Sequence, residues 1–470
     1  MFTRLIAVLF SCVVLSGCVV VPPVDPPQAW FTASSDLAVK AEQHRLSTWA
    51  QVNEHGLLLY DAFVPFEDGD NFAKSHDMAD APAWHGSLMA ATAFEAAVTG
   101  EDPSAKLDVL ANGILHMWSV TGEPGLYARS AYGYDGPRLP WMVDSKTDPT
   151  KYWQQGNNGW FRTGAAKGHL TRAVFGAGVP LALYKQGLIQ LTPAVYEKLK
   201  TVVVTSVRRL AEDQYRMLDW DGKATEFGDL RPGIVPQEYI DIARPLASVL
   251  PWDISDADVD KLAHPINGFN MILVLSMLRA AGEYDPEMMQ LFHDEFGAWE
   301  KNLKLSMKVL GFIISRIGHY KLDKPAYSDM ELVSQAALLL KLYDGDTDAT
   351  RAVGVGLNGL WSFVQFERNV PFVLTYSYYH PNAASKELVE VEEDLRAFPD
   401  GPKVAHRSNT VETSSTQPLA NRKMSSHYWK SDPSEKVVGT QIPQPGHHYG
   451  GQDYLGAYWL GRYLELVPQK

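Results

Sequence analysis

The stretch Trp153 to Leu188, WQQGNNGWFRTGAAKGHLTRAVFGAGVPLALYKQGL, decides how the rest of the chain is read. It opens with rings and side-chain amides: Trp153, Gln154, Gln155, Asn157, Asn158 and Trp160. It becomes a helix start carrying Arg162, Lys167, His169 and Arg172, then an apolar helix body from Val174 to Leu183 that Pro180 is placed to kink. A polar, ring-lined loop running into a buried helix is the pattern of a pocket wall. On a helix, positions 165, 169 and 172 share a face. Cations close to an imidazole lower its pKa and hold it neutral, fit to act as a base, which makes His169 the first candidate for catalysis.

Outward from this stretch the periodicity is helical. Helices are expected over Asp36–Val52, Pro82–Val98, from Asp102 to the Gly122 stop, from Thr192 through Leu210, from Ser255 to Leu278 with a kink at Pro265, from Asp285 through Met307, over Ser328–Leu342, over Asp348–Phe366 and over Gln452–Leu466. Apolar residues recur at three- and four-residue spacing, as in Leu107, Leu110, Ile114 and Met117. About ten helices result, arriving largely as hairpins, so the fold class is all-α. The best strand candidate is Pro371–Tyr379, PFVLTYSYY. About a hundred residues before the last helix lack periodicity but carry His380, His427, Trp429, His447, His448 and Tyr449, which reads as functional cover. Helices cannot bury their apolar stripes alone, so consecutive hairpins imply a barrel of helix pairs with loops gathered at one end.

The net charge of −13 argues against nucleic acid, whose phosphates need a basic face. With 13 Trp and 21 Tyr, rings are available to stack on the apolar faces of sugars, although any single ring is more often core filling. No His-Glu-x-x-His helix and no cysteine pair is present, so neither a metal nor a cofactor is expected. P-loop, Gly-x-Ser-x-Gly and dinucleotide fingerprints are also missing.

At the N-terminus one positive charge, Arg4, precedes an apolar run from Leu5 to Leu15, too short for an ordinary membrane span and shaped like a secretory signal. Its end, Leu15-Ser16-Gly17-Cys18, resembles the lipobox of bacterial lipoproteins. That resemblance implies cleavage before Cys18 and lipidation of its thiol. Val19 in place of an aspartate implies the outer membrane. Only Cys12 and Cys18 exist, so the mature chain holds no disulfide. The expected organisation is a signal at 1–18, a proline-rich tether at 19–34 and a single domain at 35–470.

Several local runs are similar to a group of bacterial envelope proteins that resembles the (α/α)6-toroid, or six-hairpin glycosidase-like, superfamily. They are Ala83-Trp84-His85-Gly86-Ser87-Leu88-Met89-Ala90-Ala91, Gly125-Leu126-Tyr127-Ala128-Arg129-Ser130, Phe161–Phe175 and Asp453–Tyr463. The resemblance implies a toroid of helical hairpins, a glycan ligand and, in an enzyme, hydrolysis or lyase/epimerase chemistry. The relatives usually carry acids at the start of the third landmark, where this chain has Gly164, Gly168 and His169. A two-carboxylate hydrolase would therefore need acids from elsewhere. The candidates are Asp453 and Tyr454, with Glu226, Asp229 and Glu238 from the middle loop. Substrate contacts are expected from Trp84, His85, Arg129, Trp153, Asn158, Trp160, Arg162, Arg172 and His448. A non-catalytic glycan-binding or scaffolding lipoprotein is the alternative.

Overall fold

The computed structural model describes residues 36–65, 72–77, 80–133, 136–137, 142, 153–232, 268–317, 325–365, 368–381, 385–399, 403–405, 410–413, 429, 435–438 and 447–468. The expected signal, the tether and Cys18 lie outside the described residues, as do Pro265, His427 and Glu238. Among the described residues there are twelve helices and few strands, and none of the helices is long and apolar enough to cross a membrane.

Six helices are buried nearly all round or lie at the centre of the packing: α2 (Ala81–Thr99), α4 (Lys167–Lys185), α6 (Gly268–Gly282), α8 (Pro325–Asp344), α10 (Val370–Tyr379) and α12 (Gln452–Tyr463). They alternate along the chain with α1 (Leu37–Trp49), α3 (Ser104–Thr121), α5 (Pro193–Glu212), α7 (Pro286–Ile317), α9 (Asp348–Val364) and α11 (Ser385–Ala397). In this second set, α3 and α5 bury one stripe and turn the other face to solvent, the ordinary arrangement of an amphipathic helix on a core. The first set packs in sequence: α2 on α4, α4 on α6 and α8, α6 on α8, α8 on α10, α10 on α12, and α12 back on α2. Each helix of the second set packs on one or more of its neighbours in the first.

Helices α4, α8 and α10 run parallel, because side-chain pairings climb in step. Along α4 and α8, Arg172 meets Glu331, Tyr343 Oη donates to Gly178 O and Gln186 Nε2 donates to Leu342 O. Along α8 and α10, Ser334 meets Thr375 and Tyr379 Oη donates to Ala337 O. Helices α2 and α4 cross closest. A Cβ added to Gly86 would lie 2.0 Å from Arg172 O, and one on Gly176 would lie 2.4 Å from Gly86 O. Only hydrogen fits there, which is why small residues dominate the middle of both helices.

Connection lengths are asymmetric. Those entering α2, α4, α6 and α12 span 50–80, 122–166, 213–267 and 398–451, whereas those leaving the first set span 100–103, 186–192, 283–285, 345–347 and 380–384. Longer stretches of sequence therefore precede four of the six inner helices than follow them.

Two expectations need correction. Pro371–Tyr379 is helix α10, not a strand: Asn369 caps it by accepting from Phe372 N, and Pro371 lies in its first turn. Its rings and β-branched residues mimic a strand because a helix buried on every side needs no polar face to reveal its period. The segment after it contains α11, whose apolar positions Leu388, Val391 and Leu395 recur at helical spacing. Pro180 lies inside α4, which continues through it to Lys185.

Candidate functional site

The ring-rich loop becomes a small antiparallel sheet. β1 (Ser130–Tyr132) and β2 (Trp153–Gln155) flank β3 (Trp160–Arg162), so that Ser130 and Trp153 both lie opposite Arg162. This sheet hands the chain to the start of α4 and holds Arg129 beside it, where Arg129 N donates to Arg162 O. A hairpin of β4 (Arg216–Leu218) and β5 (Ala224–Asp229) reaches the same place and brings Asp219.

These elements converge on a buried chain of polar contacts. Asp80 occupies the N-cap of α2, where an aspartate ordinarily accepts the first helix amides, yet it makes no cap bond. Its Oδ1 instead faces His169 Nε2 at 2.8 Å and Arg129 Nη1 at 3.3 Å. Arg129 Nε donates to Gly164 O at 2.8 Å, and Gly164 N donates to Asp219 Oδ2 at 2.7 Å. Gly164 has φ +76°, a left-handed conformation that glycine adopts without strain. The positions without acids of their own thus grip acids from elsewhere: His169 holds Asp80, and Gly164 holds Asp219.

The tautomer of His169 follows from the bonds. Ala166 N can only donate, and it donates to His169 Nδ1 at 2.7 Å. Nε2 therefore carries the proton and donates to Asp80. Burial pushes the imidazole pKa down; Asp80 opposes this, and Arg129 and Arg172 add to it. The expected direction is found, with burial rather than the cations as the leading cause. With both nitrogens occupied, His169 orients Asp80 and has no lone pair left to take a proton in this arrangement. Burial pushes the Asp219 carboxyl up, against the opposing hydrogen bonds from Trp220 N and Gly164 N.

One turn beyond His169, Arg172 Nη2 donates to Glu331 Oε2 at 2.7 Å, both side chains being 3% exposed. Glu331 and Asp453 line a cavity of about 40 Å³ between α2, α4, α8, α10 and α12, together with Gln335, Phe94, Phe175 and Trp429. That volume holds one or two waters and no sugar ring. Trp429 closes the cavity, its Nε1 donating to Asp453 O at 2.9 Å.

The other expected residues scatter. His85 is fully buried: Leu58 N donates to its Nδ1, and its Nε2 contacts Leu110 O at 2.5 Å, so it ties α2 to α3 and the preceding loop. Burial lowers its pKa to about 4. Trp84 is buried in the core and presents no face to a ligand. Tyr454 points away from the cavity among His44, Phe398 and Tyr458, its Oη donating to Leu37 O at 3.2 Å. Its adjacency to Asp453 in sequence does not survive as adjacency in the cavity, because neighbouring helix positions face about 100° apart. Trp153 is buried, Trp160 is half-buried with Nε1 donating to Gly136 O, and Asn158 is exposed at the hairpin tip. His448 lies in the strand His447–Tyr449, opposite Asp61 and Val404. Asp229 pairs with Arg231, and Glu226 is exposed on β5.

Asp80, Asp219 and Glu331 were not among the expected residues. Asp80 carried a signal, an acid directly before Ala-Pro at a helix start. Asp219 had only the Asp221-Gly222 turn after it to mark a hairpin. Among the described residues no group of three metal-ligating side chains is close enough to hold an ion. No family model, curated protein or solved structure matches the chain.

Proposed function

We propose that the chain is a lipid-anchored envelope protein whose helices close into an (α/α)6 toroid and whose inner-helix N-termini carry a glycan-cleaving cleft. The toroid reading is supported by six central helices whose packing can be followed from α2 to α12 and back to α2. Long connections entering four of the six support a cleft at that end.

The observation that carries the reading is the pair Asp80 and Asp219, set on either side of Arg129 and held by His169 and Gly164. Burial favours the protonated form of Asp219, which suits a general acid, while Asp80 accepts from two donors and is 29% exposed, which suits a base for water. In the proposed hydrolysis Asp219 protonates the leaving oxygen as the glycosidic bond breaks. Asp80 takes the proton of the attacking water, and His169 and Arg129 keep its carboxylate aimed. Trp220, half-exposed beside Asp219, supplies a ring face for a sugar. Lyase chemistry through His169 or Tyr454 is less well supported, since one has both nitrogens bound and the other faces α1.

The test is product analysis after incubation with a panel of envelope and plant polysaccharides. New reducing ends from one polymer are expected, and a complete absence of products with retained polymer binding would move the protein to the non-catalytic alternative. That alternative draws on one observation, that the charges of this array already have partners within the fold. For the anchor, Cys18→Ala is expected to move the protein from the membrane fraction to the soluble fraction, as cell fractionation would read.

A further inference from the structure

Three buried arginines can be compared nitrogen by nitrogen. Arg279 engages all three: Nε with Asp344, Nη1 with Glu283 and Nη2 with Tyr343 O. Arg129 engages Nε with Gly164 O and Nη1 with Asp80. Arg172 engages only Nη2, with Glu331. Its Nε is buried without a hydrogen-bond partner, and among the described residues its Nη1 has none either. A buried donor left without a partner is costly, because out of water it forfeits hydration without compensation.

Nε and Nη1 lie on different edges of the guanidinium, and Nη1 is the donor that approaches Gly168. A Cβ on Gly168 would sit 3.6 Å from Arg172 Nη1 and 3.7 and 3.9 Å from the methyl carbons of Leu332, in ordinary van der Waals contact with both side chains. Gly168 is half-buried, so this space borders the surface. It also lies in the first turn of α4, where amides without helical acceptors favour negative charge. Two independent features therefore meet beside Gly168: a helix N-terminus and a guanidinium with unused donors. Both supply donors only, so the ligand group must be an acceptor and an anion. A carboxylate fits the planar guanidinium best.

We propose that Arg172 and the first turn of α4, beside the bare Cα of Gly168, bind the carboxylate of an acidic sugar. This rests on the glycan reading above and adds its substrate class. Glu331 then has a double role, fixing the guanidinium while leaving its other donors for the ligand.

The test is titration of the full chain in detergent with sodium glucuronate, glucuronamide, glucose and sodium acetate. Glucuronate is expected to bind at least about tenfold tighter than glucuronamide or glucose, the difference of a charge-assisted hydrogen bond. Gly168→Asp, which places a carboxylate against Arg172 from within, is expected to weaken glucuronate binding at least about tenfold. The isosteric Gly168→Asn fills the same space without the charge and is expected to weaken binding less than Gly168→Asp does, and melting curves would confirm that both variants fold. Equal binding of glucuronate and glucuronamide overturns the proposal, as do equal losses in the two variants. Acetate binding as tightly as glucuronate would overturn the assignment to a sugar. Cleavage depends on Asp80 and Asp219, so a polymer cleaved without preference for uronate would sink this inference and leave the hydrolase reading intact.

Discussion

The two ends of the inner helices carry similar numbers of charges to different effect. At the C-terminal end, Arg279, Asp344, Glu283 and Lys185 form a network: Arg279 meets both acids, and Lys185 Nζ lies 2.7 Å from Glu283. These cations sit in the last turns of α6 and α4, where they complement the helix dipoles. Their partners come from helix ends or from connections as short as 283–285. At the N-terminal end, Asp80 meets His169 and Arg129, Arg129 meets Gly164 O, and Gly164 N meets Asp219; all of these but His169 come from the long connections 50–80, 122–166 and 213–267. There an aspartate forgoes its capping bonds and an arginine leaves donors idle. Ion pairing alone does not mark a site. What separates the ends is whether local duties are met, because a fold that needs a group only for stability saturates it.

The largest expected effect breaks this contrast if it fails. Asp80→Asn keeps the shape of the side chain and removes its charge, and it is expected to lower turnover of the cleaved polymer by about 10²- to 10⁴-fold, the range for loss of a general acid or base. Arg279→Met at the opposite end is expected to leave turnover per folded molecule unchanged. Steady-state rates on the two variants, normalised by folded fraction, decide it. Next come the arginines themselves. Arg279→Met and Arg172→Met each strand a carboxylate with little access to water, and each is expected to cost about 3 kcal/mol in urea denaturation. Only Arg172→Met should also abolish glycan binding. Equal binding by both variants would show the N-terminal array to be structural after all.

Legibility in the sequence followed the same divide. Most helices of the second set announce themselves, since half-buried helices must alternate faces, and α3 and α5 could be drawn from Leu107, Leu110 and Val195, Leu199 alone, although α11 was missed. The interior helix α10 could not, because a segment wet on no side has no polar stripe. At the site, the charged start of α4 was visible: His169 and Arg172 stand out at the end of a ring-rich loop. Their partners were not, since Asp80 and Glu331 are 89 and 159 residues away in sequence. Pairings over such separations are decided by helix packing, which local pattern does not encode. Tyr454 and His85 misled for the complementary reason. Each looks like site chemistry in one dimension and is spent on tying two elements together in three.

Acid offers the gentlest way to sharpen the comparison. His85 and His169, both near the N-terminal end, have pKa values lowered by burial, His85 to about 4 from an ordinary 6.5. Between those values the unfolded chain binds more protons than the folded one. The stabilising contribution is therefore complete above pH 6.5 and drains away as pH falls toward 4. At pH 5 the loss from His85 is about 2 kcal/mol. The C-terminal end is built differently: burial acts to raise the Glu283 carboxyl, but Lys185 and Arg279 outweigh it and hold the pKa below its usual value, so that end keeps its charges until the pH is lower. Hydrogen exchange compared at pH 7.5 and pH 5 is expected to show faster opening first in the amides that the histidines hold, Leu58 and Ala166, while those of 345–347 stay protected. His85→Gln should flatten the pH dependence of the melting temperature over this window. Uniform loss of protection at both ends would mean that the bundle opens as one unit, and the division of labour between its ends would then be chemical only.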